Sequence, residues 1–587
     1  MTFNGQRHQE GIFLSLGRVG FFLLLFGPHA SGLAQDNSKV GSHEAETMTE
    51  ENSSSASDSS PMSDAQEAPK GSAQPEPVPA DSQASTRALQ RKPLKSGLRD
   101  ERPLKSLAFG SFELNSRLAL RLVSESLSPA PLTADALAPG AFTAYGVARA
   151  FLGGQASFAG GLHLRSEFEA DLVSGHIGQP RTLDGLGHPN ATSADWMVRR
   201  ANLALGYQNI AHLSLGVTSP HFGLGLVSNR GDHGWNAGSA QFANPVAGDR
   251  ALGIRLASGP WTSASVMVVA GLSVGGATPD GVDLLSETLP TIATDDIMRD
   301  TDRVIQAALA LTFKQDQAHH GGVYTAFRHQ VSDTGRGFTV AIVDGYVSTT
   351  HHILSEQLAL KLALETVGII GTTTLGPNPS FPEKLVLQGA AAFQGVLDAG
   401  WMGGALDLTL ASGDADPYDG IMSAFKADPN YQQGFLLFHQ MVALQSAYAT
   451  HTASNLELTG SPAPDLDRYP TRGSISNAIA FFPRLFMRPH HELEVYSGPL
   501  VAFALAPQAD PLMTKYAGGA LTNSMGGNGR YLGTELDLGV RSQIRVMGIL
   551  GHVGTELGYL IPGDALSPPD EPGMPIYGGR VFLHLEY

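Results

Sequence analysis

The sequence predicts an all-β fold, a single transmembrane antiparallel up-and-down β-barrel of 18 strands within a range of 16 to 20. Three observations predict it: an export signal, strands with one apolar and one charged face, and connections that alternate between short and long. In membrane barrels the apolar face meets lipid, the polar face lines the interior, and short turns and long loops collect at opposite ends.

The composition favours a membrane barrel over a soluble enzyme. Charged residues make up 16% of the 587 residues, against roughly 25% in soluble proteins, and 68 residues are glycine. The net charge of −17 argues against nucleic acid as a partner. Because the chain has no cysteine, disulfides and thiolate chemistry are excluded.

Residues 1–34 have the order of a secretory signal peptide. Arg7 and Arg18 precede the apolar run from Val19 to Phe26, and Ala34 precedes the expected cleavage point. The run is too short to span a bilayer. An uncleaved anchor is the alternative.

Residues 35–105 are predicted to be a disordered periplasmic linker, because Ser, Pro, Glu and Asp leave little to bury. The sign of the charge changes within 87–105, where Arg and Lys dominate. This stretch is either a solvated tether or a contact with the cell wall or anionic lipid headgroups. The barrel is predicted to occupy 106–587.

Strands of about 10–16 residues follow one another across the barrel region, each with a period of two. In "FELNSRLALRL", Leu118, Leu120 and Leu122 share one face, and Arg117 and Arg121 share the other. Only a bilayer or a second sheet could cover so many apolar faces.

The polar faces supply the predicted lumen-lining residues. Salt bridges that rigidify the wall and a field that selects solutes are the two roles that stay open. The residues are Arg117, Arg121, His163, Arg165, Glu167, Glu169, Arg255, Lys361, Asp407, Glu492, Glu494, Glu535, Asp537 and Arg541.

Connection lengths favour a membrane barrel over a sandwich, because a sandwich has no reason to sort its connections by end. Short turns are predicted near 153–156, 208–209, 259–260, 315–318, 350–351, 397–398, 489 and 546–548. Long connections lie near 124–140, 173–193, 219–248, 272–301, 366–382, 412–473, 506–529 and 562–575, and a short one at 332–335 is the exception.

The chain ends in "RVFLHLEY", with Val581, Leu583, Leu585 and Tyr587 on one face. This ending resembles the C-terminal strand that the barrel-assembly machinery reads in outer-membrane proteins. The resemblance implies that this machinery is a partner, with Tyr587 in the place where Phe is commoner.

Two stretches resemble known families. "HLSLGVTSPHFGLGLVSNRGD" resembles a segment of a poorly characterised family of large outer-membrane barrels, with Phe222 where that family has Trp. "LDLTLASGDADPYDGIMSAFKADPNYQQGFLLFHQ" is similar to the same family and to alginate-export-type porins. The resemblance implies an 18-stranded export or diffusion barrel, without specificity for a polysaccharide.

The second of these stretches brings together Asp414, Asp416 and Asp419 in "SGDADPYDG". Carboxylates so close in a Gly/Pro-bent loop can converge on calcium, which takes six to eight oxygen ligands. The alternative is a polar loop in which these residues form turns.

The connection 412–473 contains "QGFLLFHQMVALQSAYA". This segment is apolar enough to fold back into the barrel as a constriction or plug. The alternative is an extra hairpin pair, which would raise the strand count to 20.

No enzyme is expected. No G-x-S-x-G elbow occurs, and Ser214 and His212 share a strand face without a third partner. The sequence predicts a Gram-negative outer-membrane porin or export channel that passes hydrophilic solutes or polymer passively, with lipid as a partner and no cofactor except the possible loop calcium. The alternative is a closed scaffold barrel that anchors an envelope or surface assembly.

Overall fold

The computed structural model describes residues 105–587 except for 110, 174–176, 180–194, 209, 232–237, 239–248, 262–265, 276–302, 315–317, 333–334, 354–357, 377–379, 461–464, 467–469 and 547–548. The predicted signal peptide, the linker and almost all of the basic stretch lie outside the described residues. These assignments therefore stay predictions.

Eighteen long strands form one antiparallel sheet that closes into a barrel. They are β1 Phe112–Leu127, β2 Ala141–Ser157, β3 Leu162–Val173, β4 Asp195–Tyr207, β5 Ala211–Thr218, β6 Ala251–Trp261, β7 Val266–Gly275, β8 Arg303–Lys314, β9 His319–Val331, β10 Gly337–Ile353, β11 Leu358–Thr373, β12 Lys384–Asp398, β13 Met402–Ala411, β14 Ala478–His490, β15 Leu493–Ala504, β16 Tyr531–Val546, β17 Ile549–Pro562 and β18 Ile576–Glu586. The predicted fold and the count of 18 are confirmed.

The barrel closes where β1 pairs with β18, from Ala119 opposite Glu586 to Leu127 opposite Gly578. The last residue, Tyr587, continues this ladder with two backbone hydrogen bonds to Leu118, of 2.8 and 3.0 Å. Beyond that point the short strand Lys105–Phe109 pairs with the first residues of β1. Among the described strands, closure leaves no long free edge, which would otherwise invite pairing with another chain.

Residues alternate between the barrel exterior and interior along every strand. On β11, Leu364 is 42% exposed on the exterior, whereas the neighbouring Glu365 is fully buried inside. On β1, Leu118 and Leu122 are likewise exposed, and Ala119 between them is buried. The exterior is therefore an apolar band of the kind that membrane barrels present to lipid.

Three strands continue through positions at which the sequence predicts tight turns. β2 continues through 153–156 to Ser157, β6 continues through Gly259 and Pro260 to Trp261, and β10 continues through 350–351 to Ile353. Glycine and proline favour turns locally, but here the neighbouring strands pair through 153–156 and 350–351. At Gly259 and Pro260 the register shifts, and pairing resumes at Trp261. Pairing with neighbours thus overrides the local turn preference.

The longest connection, 412–477, contains helices rather than further barrel strands among its described residues. A π-helical turn, Leu437–Val442, runs into helix α1, Ala443–Ser454, and the short helix α2, Leu456–Thr459. Its one strand, Ile421–Met422, has only two residues. The alternative of an extra hairpin pair is therefore wrong.

A second outer connection, 505–530, carries helix α3, Pro511–Tyr516. The carboxylate of Asp510 caps this helix by accepting hydrogen bonds from the backbone of Leu512 and Met513, both of 2.9 Å. No helix in the described part of the chain is both long and apolar enough to cross a bilayer.

We expect Leu364→Arg to destabilise the barrel in lipid vesicles by about 2–4 kcal/mol, because a cation in the middle of the apolar band loses its hydration. Ile353→Arg, at the end of β10, is the matched control and should cost only about 0–1 kcal/mol. Equilibrium urea unfolding in vesicles measures both. Equal costs at the two positions would show that the band does not face lipid.

Candidate functional site inside the barrel

A first group of paired charges lies on the inward faces of β2 to β4. Arg149 binds Asp171 with two hydrogen bonds, of 2.7 and 2.8 Å, and Arg199 donates to Glu169 over 3.2 Å. Arg117 on β1 approaches the same Glu169 at 3.6 Å. Except for Arg117, these side chains are buried, so pairing offsets the cost of removing the charges from water.

A second group of paired charges spans β12 to β16. Arg484 binds Asp407 at 2.6 Å. Arg488 joins Glu494 at 2.9 Å and Asp398 at 2.9 Å, and Arg541 donates to the same Glu494. Such networks fix long side chains in one geometry and stiffen the wall.

A third group of interacting polar side chains lies next to the strand that closes the barrel. Glu556 on β17 accepts hydrogen bonds from Arg580 on β18, at 2.7 Å, and from the Tyr496 hydroxyl, at 2.8 Å. All three side chains face the interior, and Glu556 is fully buried. The strand that completes the barrel is therefore tied to its neighbours by side chains as well as by backbone bonds.

Thirteen of the fourteen predicted lumen residues lie on the inward side of their strands. They are Arg117, Arg121, His163, Arg165, Glu167, Glu169, Arg255, Lys361, Asp407, Glu494, Glu535, Asp537 and Arg541. Glu492 does not, because β14 ends at His490 and Glu492 falls in the exposed turn that follows. A role of the thirteen in solute passage stays a prediction.

The sequence analysis missed several inward charges, among them Arg149, Arg199 and Glu556. Arg149 lies in "VARAFLGG", where alanine and glycine flank the arginine and weaken the contrast between the two faces. Continuing the two-residue period from neighbouring strands would have found it.

The long connection is fastened to the wall by one carboxylate. Glu535 on β16 accepts hydrogen bonds from the backbone N–H groups of Phe435, Leu436 and Leu437, at 2.6, 2.6 and 2.7 Å. Three successive N–H groups that converge in this way form an anion-binding concavity. Gly434 precedes them at φ +71°, where a Cβ would lie 2.9 Å from the carboxylate.

A second connection uses the same arrangement. Glu365 on β11 accepts hydrogen bonds from the backbone of Leu224, Gly225 and Leu226, the last two at 3.0 Å. Gly223 precedes this group at φ +59°, as Gly434 does in the long connection. Two inward segments are therefore each held by three N–H groups on one wall carboxylate.

Both inward segments join an apolar cluster inside the barrel. From the long connection, Leu436, Leu437 and Met441 are fully buried, and Leu226 and Val227 come from the other segment. The wall contributes inward apolar residues to the same cluster: Val340, Ile342, Val386, Phe482 and Leu560. Part of the interior is thus packed like a protein core rather than lined by charge alone.

The two inward segments also contact each other. The backbone of Asp428 donates to Leu226 at 2.8 Å, and the backbone of Asn229 donates to the carboxylate of Asp249 at 2.8 Å. The carboxyl groups of Asp249 and Asp428 hydrogen-bond to each other. Burial raises the pKa of Asp249 to about 7 and raises the pKa of Asp428 well above its usual range.

The three loop carboxylates that suggested calcium serve as turn acceptors. Asp414 accepts from the backbone of Asp416 at 3.1 Å and of Ser423 at 3.3 Å. Asp416 and Asp419 each accept from the backbone two residues ahead, at 3.0 and 2.7 Å. Calcium binding stays a prediction. Across the described ranges, the group with three ligand atoms within 4.8 Å of one another is the exposed turn 490–492.

We expect the contact between the two inward segments to weaken from about pH 5 to about pH 8. The folded-state pKa of Asp249 lies above its ordinary value of 3.8, so the protonated pair stabilises the contact at low pH. This contribution is lost as the pH rises through about 7. Hydrogen exchange at 226–229, corrected for intrinsic rates, measures it.

Arg250, Arg328 and Tyr324 also face Asp249, so the control must change the acids alone. Asp249→Asn combined with Asp428→Asn removes both coupled acids, keeps an acceptor for the Asn229 backbone, and should abolish the pH dependence. If protection from hydrogen exchange at 226–229 in the wild type stays constant over this pH range, the protonated Asp249–Asp428 pair does not stabilise the contact.

We expect Glu535→Gln to accelerate hydrogen exchange at Phe435–Leu437, because a neutral amide replaces an acceptor of three charge-assisted hydrogen bonds. Each such bond contributes about 1.5–3 kcal/mol. Glu492→Gln, in the exposed turn, is the matched control. Unchanged exchange at 435–437 would mean that packing alone holds the segment.

No protein-family model matches the chain, and no curated protein matches it. Among solved structures, the chain is similar to Acinetobacter baumannii OccAB1, with 12% identity, 81% of this chain and 96% of that chain covered, and a TM-score of 0.45. Pseudomonas aeruginosa OccK5 (OpdH) gives 9% identity, coverage of 80% and 97%, and a TM-score of 0.44. The Pseudomonas aeruginosa outer membrane protein opdK gives 8% identity, with 81% of this chain and 99% of that chain covered, and a TM-score of 0.42. Values in this range do not assign the chain to a family.

Proposed function

We propose that this protein is an outer-membrane channel that passes hydrophilic solutes passively through a charged lumen narrowed by the connection 412–477. The observation that carries the proposal is the Glu535 contact with 435–437, which holds an apolar loop segment inside a barrel whose wall is otherwise rich in charge. A loop fixed in this way narrows the passage without a moving part. No chemical step is involved.

The location follows from the same physical argument. The outward apolar band is suited to lipid on all sides, and closed barrels of this kind belong to outer membranes. The tight turns, the start of β1 and the end of β18 all lie at the same end of the barrel, which we assign to the periplasmic side. The linker would then lie in the periplasm, and the strand ending at Tyr587 would be the signal for barrel assembly.

A closed scaffold barrel is the second candidate, and the apolar cluster favours it. Leu436, Leu437, Phe438 and Met441 are buried together with wall residues, and dry packing of this kind opposes the passage of water and ions. In that case the barrel would anchor an envelope assembly through its linker.

Single-channel recording in planar bilayers separates the two candidates. A channel predicts discrete current steps for the wild type, larger steps for Glu535→Gln, and still larger steps when 412–473 is deleted. Glu492→Gln, in the exposed turn, is the control and should conduct like the wild type. A silent wild type that conducts only after the deletion would support the scaffold, and silence in all variants would also overturn the channel.

A further inference from the structure

We propose that the loop end of the barrel contains a binding site for a small uncharged polyhydroxylated ligand, such as a neutral sugar or polyol. The site is a cavity of about 280 Å³ between helix α1, the ends of β10 to β12, and the connection 505–530. This volume is close to the lower end of the roughly 300–1,000 Å³ range of small-molecule pockets.

Three glutamine side chains reach the cavity from three different elements. Gln388 comes from β12, Gln445 from helix α1, and Gln508 from the connection that carries α3. Each amide offers both donors and an acceptor. A ligand with several hydroxyl groups, each of which donates and accepts, matches this set.

These amides are available to a ligand. Gln388 and Gln508 are half-buried, and their side-chain amides form no hydrogen bond with the residues that the structure describes. Gln445 is 5% exposed, and its amide nitrogen donates to the Pro131 carbonyl at 3.2 Å, while its carbonyl oxygen accepts no hydrogen bond from the described residues.

The charged side chains at the cavity already have partners in the protein. Lys384 donates to the Pro417 carbonyl at 2.8 Å, and Asp465 binds Arg336 at 2.7 Å. Asp510 accepts the two backbone bonds that cap α3. Ligand recognition is therefore left to the neutral amides.

The remaining two charges, Lys426 and Asp414, are engaged in the same way. Lys426 donates to the Pro470 carbonyl at 3.2 Å, and Asp414 accepts from two backbone N–H groups of its own loop. Apolar side chains complete the lining, including Phe338, Leu375 and Val442. They suit the C–H faces of a sugar ring, as in small-molecule pockets that combine apolar walls with a few placed polar groups.

The test is ligand binding to the full chain in detergent, measured by saturation-transfer NMR and by titration. The probes are glucose and maltose, with glucuronate and glucosamine as the anionic and cationic counterparts. We expect the neutral sugars to bind and the charged ones to bind at least about ten-fold more weakly, because a charged group would lose hydration without an opposite charge to replace it.

The variant Gln388→Met/Gln508→Met should lower the affinity for the neutral sugars by about ten-fold or more. Gln508→Met alone, in a loop, should give a smaller loss and guards against misfolding of the double variant. Gln543→Met, a half-buried glutamine at the far end of β16, is the matched control and should bind as the wild type does.

Absence of binding by the wild type, equal binding of glucuronate or glucosamine, or unchanged affinity in the double variant would each overturn this proposal. None of these results bears on conduction. A barrel that conducts but binds no neutral sugar would support the channel and contradict the binding site. A barrel that conducts no current but binds a neutral sugar would contradict the channel and support the binding site.

Discussion

The interior of this barrel depends on the contact between a wall carboxylate and three successive backbone N–H groups. A loop segment that enters the barrel leaves behind the water that would satisfy its backbone, and each unsatisfied N–H costs free energy. Glu535 and Glu365 supply that acceptor from two different strands of the wall, β16 and β11. Without them, the leucines that follow could not be buried so close to irregular backbone.

These carboxylates belong to a wider rule that lipid imposes on the wall. Since every second residue of a strand faces lipid, the charges of the strands are confined to the interior. There some are paired, as Asp407 is with Arg484, and others are acceptors for a loop, as Glu535 is. Pairing stiffens the wall, and loop binding fills the space that the wall encloses.

The sequence predicted the strand count because its two-residue period and its alternating connection lengths are local signals. The inserted loop was predictable from its apolar segment alone. The loop anchors were not, because Glu535 and Leu437 are 98 residues apart, and Glu365 and Leu226 are 139 apart. Nothing in the local pattern around Glu365 or Glu535 distinguishes them from Asp407. Glu492 was misplaced because the turn predicted at 489 lies at 491–492, directly before β15 begins at Leu493.

The anchors also determine which part of the wall the long connection packs against. Leu436 packs against Gly558 on β17 and Gly578 on β18, where a Cβ would approach its side chain to 2.9 and 3.0 Å. The glycines and Glu535 together hold the loop close to β16–β18. The cavity lies on the opposite side of the same connection, between helix α1 and β10–β12. The cavity and the anchored part of the connection are therefore built by different strands of the wall.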